Sequence, residues 1–522
     1  MSADMDALLL VCSVIVLFAA LSFGAVYSHD RFIKRRRAKP SWALPVSSSD
    51  TLLDRTVRDL MARGAARNGL GMVSDNLDAF AVRALSARSA RRSLDLMYYI
   101  WRRDLTGRML AREIIAAADR GVRVRVLIDD INTRGSDRVY LALDSHPNIE
   151  LRLFNPGRMR EGAVARTLEL MLRGFSATRR MHNKAWIADG RLAIVGGRNI
   201  GDEYFDAAQA ANFHDLDLML LGDVVGQAER IFDSFWNSAA TLPIRALAVR
   251  RRRSLRRLRR QTTRLARSAT AAPFLARVNE RLSFEAMLGD GAHIHWTDQA
   301  TVVSDPPEKA RGAGGFKWLT TTLYPLIRNA RESVQITSPY YVPSEAGIAA
   351  LLDLVRRGVD VAVLTNSLAA TDVAIVHGGY AACRVPLLQG GVRLFELQPR
   401  ARRHGIAPLG SSGASLHTKA FSVDGRTGFI GSFNFDPRSA TLNTEMGVVF
   451  EHPGLVADLV AIFHQDTSPQ SSYRLSIDAD ARLRWQAEVH GRPATYEREP
   501  EVGLVRLLLA RLTGLLPVRS QL

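Results

Sequence analysis

The side chains best placed for chemistry are two histidines, each followed two residues later by a lysine: His182 with Lys184, and His417 with Lys419. Side chains at i and i+2 of an extended strand share a face, so each histidine and its lysine project together. Each lysine is followed by an Asp-Gly pair, Asp189–Gly190 and Asp424–Gly425, which has the chemistry of a tight hairpin turn. The chain then returns through RLAIVGGRN and RTGFIGSFN, bringing Asn199 and Asn434 back beside the start of the motif strand. Lysine supplies charge and asparagine a neutral donor, so the cluster forms an oxyanion receptor suited to phosphate. A histidine nucleophile also needs an acceptor on its other ring nitrogen. The acids downstream of each asparagine are the candidates: Asp217 (or Asp215) in the first set and Glu445 in the second.

The elements that must position these residues also occur twice. RSLDLMYYIW (92–101) reads as a buried strand, TGRMLAREIIAAADRG as a helix stopping at Gly121, and VRVRVLIDD (122–130) as a second strand. Strand, helix and strand with short joints make a βαβ unit. ARESVQITSPYYV (330–342) echoes ARRSLDLMYYIW (90–101), and LLDLVRRGVDVAVLTNS (351–367) echoes IIAAADRGVRVRVLIDD (114–130). The offset is 240 at Ser93 and Ser333, 237 at Gly121 and Gly358, and 235 at His182 and His417. Order and spacing kept over so long a stretch imply two copies of one α/β domain rather than a solenoid of short units.

HNKAWIAD and HTKAFSVD, each followed by Gly-Gly/Ser-x-Asn, resemble the phospholipase D superfamily, whose hallmark is a duplicated His-x-Lys-x4-Asp motif. The resemblance covers roughly residues 76 to 465. The stretches LDAFAVRALSARSARRSLDLMYYIWRRDLTGR, IVGGRNIGDEYF, SPYYVPSEAG and NSLAATDVAIVHGGYAACRVPLL are similar to the C-type branch of bacterial cardiolipin synthases. The resemblance implies two pseudo-twofold-related domains, each a mixed β-sheet flanked by helices. It also implies phosphatidyl transfer to a lipid hydroxyl with no metal or other cofactor. One histidine attacks phosphorus to form a phosphoramide while the other protonates the leaving alcohol and then deprotonates the acceptor. The family's usual order makes His182 the nucleophile and His417 the acid/base, with Lys184, Lys419, Asn199, Asn434 and Ser432 on the phosphoryl oxygens. The motif counts Asp189 and Asp424 with the catalytic set. As members of Asp-Gly turns, they brace the hairpin and orient the lysines. His377, in a segment shared with the branch, is a candidate for an acceptor pocket, whereas Tyr98, Tyr99, Tyr340 and Tyr341 read as packing residues at equivalent strand ends.

Residues 7–28 carry no charge and suffice for a helix of about 30 Å, the thickness of bilayer hydrocarbon. A cleaved signal peptide wants a basic n-region, but the N-side here carries Asp4 and Asp6. The basic cluster Arg31, Lys34, Arg35, Arg36, Arg37 and Lys39 places the rest of the chain on the cytoplasmic side of a bacterial inner membrane. Two cysteines, Cys12 in the apolar run and Cys383 alone, argue against a disulfide framework and a cysteine-ligated zinc site. The net charge of +18 favours a polyanionic partner, either nucleic acid or an anionic bilayer.

The expected division is a membrane helix at 1–28, a basic flank and linker at 29–75, a first domain at 76–240 and an arginine-rich linker at 241–300. A second domain follows at 301–470 and a tail with an apolar helix at 471–522. Within 246–268 lie ten arginines, read either as a solvated linker or as a basic helix on anionic headgroups. In the second reading Leu247, Val249, Leu255, Leu258 and Leu265 are its apolar contacts. The partners expected are phospholipids, namely phosphatidylglycerol, cardiolipin and phosphatidylethanolamine, at an anionic membrane surface. Hydrolysis to phosphatidic acid uses the same histidines and is the first alternative. A nuclease is the second, disfavoured by the membrane helix and the chain length.

Overall fold

A computed structural model describes residues 2–515 apart from 47–49, 134, 161, 210, 248–253, 282–292, 314, 316–317, 400–412, 481 and 490. Two mixed sheets, of nine and ten strands, carry the two halves. In the first, Ser93–Tyr98 pairs in parallel with Arg123–Asp129, and that strand with Ile149–Phe154. On its other side Ser93–Tyr98 meets the motif strand Ala185–Ala188 antiparallel, followed by Leu192–Gly196 and Asp217–Gly222. The second sheet repeats the scheme: Ser333–Thr337 is parallel to Asp360–Asn366 and then Arg393–Leu397, and antiparallel to Ala420–Val423, Thr427–Gly431 and Met446–Glu451. Parallel neighbours need a crossover helix. Leu105–Asp119 and Glu345–Arg356 supply it, each capped by a side chain, Asp104 onto Gly107 N–H and Ser344 onto Gly347 N–H.

Alternation along the strands sorts side chains into three large cores and a small fourth around Leu364, Leu397 and Phe463. Leu96, Leu110 and Val124 pack under the helices of the first half, and Ile336, Leu354 and Val363 under those of the second. The opposite sheet faces pack on each other. Met97, Ile187, Val195 and Leu218 share one core with Ile430, Met446, Val448 and Leu455 from the second half, all eight at most 1% exposed. Each buried side chain of this size contributes about 1.5–3 kcal/mol, so the shared core favours the docked arrangement strongly. The halves are therefore one packed body. Ala211–His214 pairs in parallel with Gly413–Leu416, and Met181 bridges to Thr444, stitching each motif to the other half.

Several elements extend past the expected boundaries. Ser2–Arg36 is one continuous helix, and its Met5–Arg36 stretch is long and apolar enough to cross a bilayer. Its last turns dock on both halves: Arg158 of the first donates to Ser28 Oγ at 2.9 Å, Asp30 pairs with Arg311 of the second at 2.8 Å, and Ile33 is buried in the first core. The expected 29–75 linker holds a helix, Leu52–Arg63, with a Thr51/Asp54 capping box, and a sheet strand, Asn68–Val73. Its intervening Ser41 and Ala43 hydrogen-bond to Arg125, Asn237 and Asp233, so this segment docks. Ile294–Thr297, expected as linker, joins the first sheet through Asn68–Val73.

The second sheet continues through Ser472–Ile477, Leu483–Val489 and Arg492–Tyr496, beyond the expected limit at 470. Within the arginine-rich stretch, Leu255–Ala266 forms a helix. Its Leu258 is buried, and Leu255 and Leu265 pack on the first core, as does Leu247. The leucines expected on headgroups thus face the protein, while Arg256, Arg257, Arg259, Arg260 and Arg264 stay exposed. Val249 lies outside the described residues. The apolar C-terminal helix Leu504–Leu515 packs beside Ala374–Gln389 and leaves Leu504, Val505 and Leu508 exposed.

Candidate active site

His182 and His417 lie just before their motif strands, in segments bonded to the opposite half. The His182 N–H donates to Thr444 O at 2.8 Å, and the His417 N–H to His214 O at 2.7 Å. Each imidazole then meets a carboxylate from that same opposite half: His182 Nδ1 lies 2.8 Å from Glu445 Oε2, and His417 Nδ1 lies 2.5 Å from Asp215 Oδ2. Aromatic edges fix the rings, Tyr99 against His182 at 5.0 Å between centroids and Tyr204 against His417 at 5.2 Å, with Phe213 at 5.0 Å from His417. A carboxylate on Nδ1 selects the tautomer that leaves Nε2 free.

Both lysines are buried beside their histidines. Lys184 Nζ donates to His182 O at 2.5 Å; Lys419 Nζ donates to His417 O and stands 2.9 Å from His417 Nδ1. Burial pushes Lys419 down to about 8, against the pull of Asp215 and Glu445. It pushes Lys184 well below its ordinary value, against Glu445. Burial also drives His182 down to about 4, with Glu445 opposing and Lys184 and Lys419 adding to the shift. His417 is driven well below 6.5 by burial and by Lys419 and Lys184. Each histidine feels the other half's lysine, so the four groups form one electrostatic site in which both imidazoles are neutral at pH 7.

The two carboxylates differ. Burial disfavours the Glu445 charge, but the attraction and hydrogen bond of His182, the charge of Lys184 and a hydrogen bond from Ser432 outweigh it and hold Glu445 below the usual range. Burial prevails at Asp215, raising its carboxyl against the pull of Lys419 and Arg198.

The other site candidates fall on both sides of expectation. Asp217 touches neither histidine: it is ion-paired with Arg83 at 2.9 Å and Arg198 at 3.3 Å, and Asp215 takes the orienting position. Asp217 opens a strand and is held in its ladder opposite Gly196, whereas Asp215 precedes that strand. Gly197 makes the Asp215 position possible, because a Cβ there would stand 2.1 Å from Asp215 Oδ1. Ser432 is fully buried and donates to Glu445 Oε2 at 2.5 Å, so it braces the acid instead of facing a phosphate.

Asn199 accepts from Ile100 N–H at 3.1 Å and donates to Tyr204 Oη at 3.0 Å, leaving one amide hydrogen. The Asn434 side-chain oxygen is buried without a partner among the described residues, a group that a ligand or water would satisfy.

Asp189 and Asp424 stand at the far ends of their strands, about 20 Å from the histidines at strand rise. Both adopt positive φ, 54° and 52°, at the turn. Asp189 accepts from the N–H groups of Arg91, Arg92 and Ser93, and Asp424 from those of Arg331, Glu332 and Ser333. They brace the turn as expected, but their bonds go to backbone rather than to the lysines. His377 packs on Arg384, 2.6 Å from Nη2, and on Tyr380, away from the histidine pair. Tyr98 packs as expected, whereas Tyr99 faces His182. Tyr204 lies in the branch-like stretch IVGGRNIGDEYF but nothing there singles it out, and Phe213 lies outside every quoted stretch. Among the described residues no cluster of three or more His, Cys, Asp or Glu is arranged to hold a metal ion.

Residues 86–236 and 323–467 match the family described as cardiolipin synthase, phospholipase D-like domain. The chain belongs to this family. It is 40% identical over 477 residues to cardiolipin synthase C of Escherichia coli (strain K12), covering 88% of this chain and 98% of that protein. It is 23% identical over 405 residues to a cardiolipin synthase of Staphylococcus aureus (strain Mu50), covering 77% of this chain and 68% of the relative. Among solved structures, the phosphatidylserine synthase of Haemophilus influenzae Rd KW20 aligns with a TM-score of 0.54 at 13% identity, over 80% of this chain and 92% of that one, a likeness of fold. Family membership and the exposed apolar N-terminal helix make the chain membrane-associated.

Proposed function

We propose that this chain is a phosphatidyltransferase that makes cardiolipin or a related lipid at the cytoplasmic face of a bacterial inner membrane, through a phosphatidyl-histidine on His182. The observation that carries the reading is the exchanged pairing of His182 with Glu445 and His417 with Asp215. One pair holds a neutral imidazole with its Nε2 lone pair free; the other holds its imidazole on an acid of raised pKa and beside a lysine, a setting for proton exchange.

In the first step His182 Nε2 attacks phosphorus of phosphatidylglycerol, the phosphorus–oxygen bond to the headgroup glycerol breaks, and His417 gives that oxygen a proton. In the second, His417 takes the proton of an acceptor lipid hydroxyl, whose oxygen attacks phosphorus as the phosphorus–nitrogen bond breaks. Lys184, Lys419, Asn199 and Asn434 hold the phosphoryl oxygens. The phosphodiester's negative charge between the two lysines offsets their effect on His417 and raises it toward the protonated form that the first step needs. The basic residues after the apolar run support the cytoplasmic placement.

The test is lipid product identification with purified protein in mixed micelles of phosphatidylglycerol, with and without phosphatidylethanolamine or glycerol. Cardiolipin is the expected product. Phosphatidic acid alone would replace transfer by hydrolysis, and cleavage of DNA without lipid turnover would overturn both.

A further inference from the structure

We propose that the apolar cavity beside Asn434 receives one acyl chain of the phospholipid whose phosphate the histidine pair handles, an inference that rests on the phospholipid reading above. The cavity has a volume of about 390 Å³, within the usual range of roughly 300–1,000 Å³ for small-molecule sites. One wall is Phe435, Asp436 and Pro437, the three residues that directly follow Asn434. The facing wall is the start of helix Glu345–Arg356, where Gly347 and Ala350 leave the space open. Its inner end reaches Ile336 and Tyr341, both 1% exposed and both part of the second half's own core. Hydrocarbon seated there leaves water, and each methylene buried adds to binding.

The charged residues of the lining do not disqualify a hydrocarbon guest. Arg328 is exposed, so its charge stays in water. Asp436 is buried, and burial pushes its carboxyl up to about 7, so much of it is neutral near neutrality. A polar guest such as free glycerol would find few partners on these walls.

The other end of the cavity leads toward the membrane anchor. Trp318 and Tyr324 form part of its rim, and amphipathic aromatics suit a boundary that is wet on one side and apolar on the other. The Trp318 ring centroid lies 5.1 Å from Lys309 Nζ, and nearby Arg311 pairs with Asp30 of the N-terminal helix, just past the uncharged run 7–28. The cavity therefore runs between the place where the anchor leaves the bilayer and the residue proposed to hold a phosphoryl oxygen. A donor lipid can keep one chain in protein while its phosphate sits at His182.

The experiment compares wild type, Gly347→Leu and Ala350→Trp in full-length protein, with Ala349→Trp as a bulk control on the exposed side of the same helix. Both cavity substitutions lie at half-buried helix positions that suit helix formers. Turnover of dipalmitoyl and dihexanoyl phosphatidylglycerol is measured, together with crosslinking by phosphatidylglycerol bearing a diazirine near the acyl terminus. Filling the cavity should lower kcat/KM for the long-chain lipid about tenfold, equivalent to roughly two methylenes returned to water. The short-chain lipid and the Ala349→Trp control should stay near wild type. The diazirine should label wild-type peptides from 318–351, and that label should disappear in Ala350→Trp. Lipid turnover in wild type with an unchanged chain-length profile and label in both cavity variants would overturn the acyl slot and leave the transferase reading standing. Labelling of the cavity without any lipid turnover would keep the slot and overturn the transferase reading, and neither label nor turnover would overturn both.

Discussion

At the scale of single residues, the two histidine–lysine pairs and their asparagines were legible because the His-x-Lys spacing and the Asp-Gly return to an asparagine recur in both halves. Their carboxylate partners were legible only as a short list of acids. Choosing Asp215 over Asp217 depends on which residue leaves the strand and on room made by Gly197, neither of which a period-two pattern records. Ser432 was misread because its hydroxyl turns to Glu445. Glu445→Gln and Asp215→Asn should each lower kcat by about 10²–10⁴-fold with KM little changed, as expected when a histidine loses the acid that fixes its tautomer. Steady-state kinetics on phosphatidylglycerol checks this, and an effect confined to KM would contradict it.

The pH profile follows from the same burial. Lys419, held at about 8, is charged below that value and neutral above it, so kcat/KM should fall as pH rises through about 8. Lys419→Arg, whose guanidinium stays protonated, should move that limb to higher pH even if the rate is lower. On the acid side His182, held at about 4, stays neutral down to that pH, so no loss from its protonation should appear near 6.5.

At the scale of elements, the duplicated strand–helix–strand units were readable from offsets of 235 to 240 residues. Asn68–Val73, Ile294–Thr297 and the three strands from Ser472 to Tyr496 were not, because they lie outside the stretches whose residues repeat. The arginine-rich stretch reads as a solvated linker or as a helix on headgroups, because an amphipathic pattern says that one face is covered without saying by what; the leucines of the helix cover protein. The Asp-Gly turns carry a prediction at this scale. Asp424→Ala removes the acceptor of three backbone N–H groups and should cost about 1.5–3 kcal/mol of stability, measured by denaturant unfolding. Protein that remains folded should keep kcat within a few-fold of wild type. A complete loss of kcat in folded Asp424→Ala would return this residue to the active site.

At the scale of the whole molecule, duplication told of two domains but not of how they exchange parts. Each histidine is held by an acid from the other half, over a core to which both sheets contribute. Folding and activity are thereby tied to the same interface. Calorimetric unfolding of the detergent-solubilised chain should give one cooperative transition for the two halves, and two separated transitions would contradict a shared core.

In this mechanism His182 becomes covalently bound to phosphorus before any acceptor reacts. A phosphodiester with a p-nitrophenyl leaving group needs no acid for the first step, so His417→Asn should still complete that step and then stall. The account expects a burst of nitrophenol equal to the enzyme present, and an intact-mass increase that peptide mapping assigns to His182. No burst, or the added mass on another residue, would contradict it.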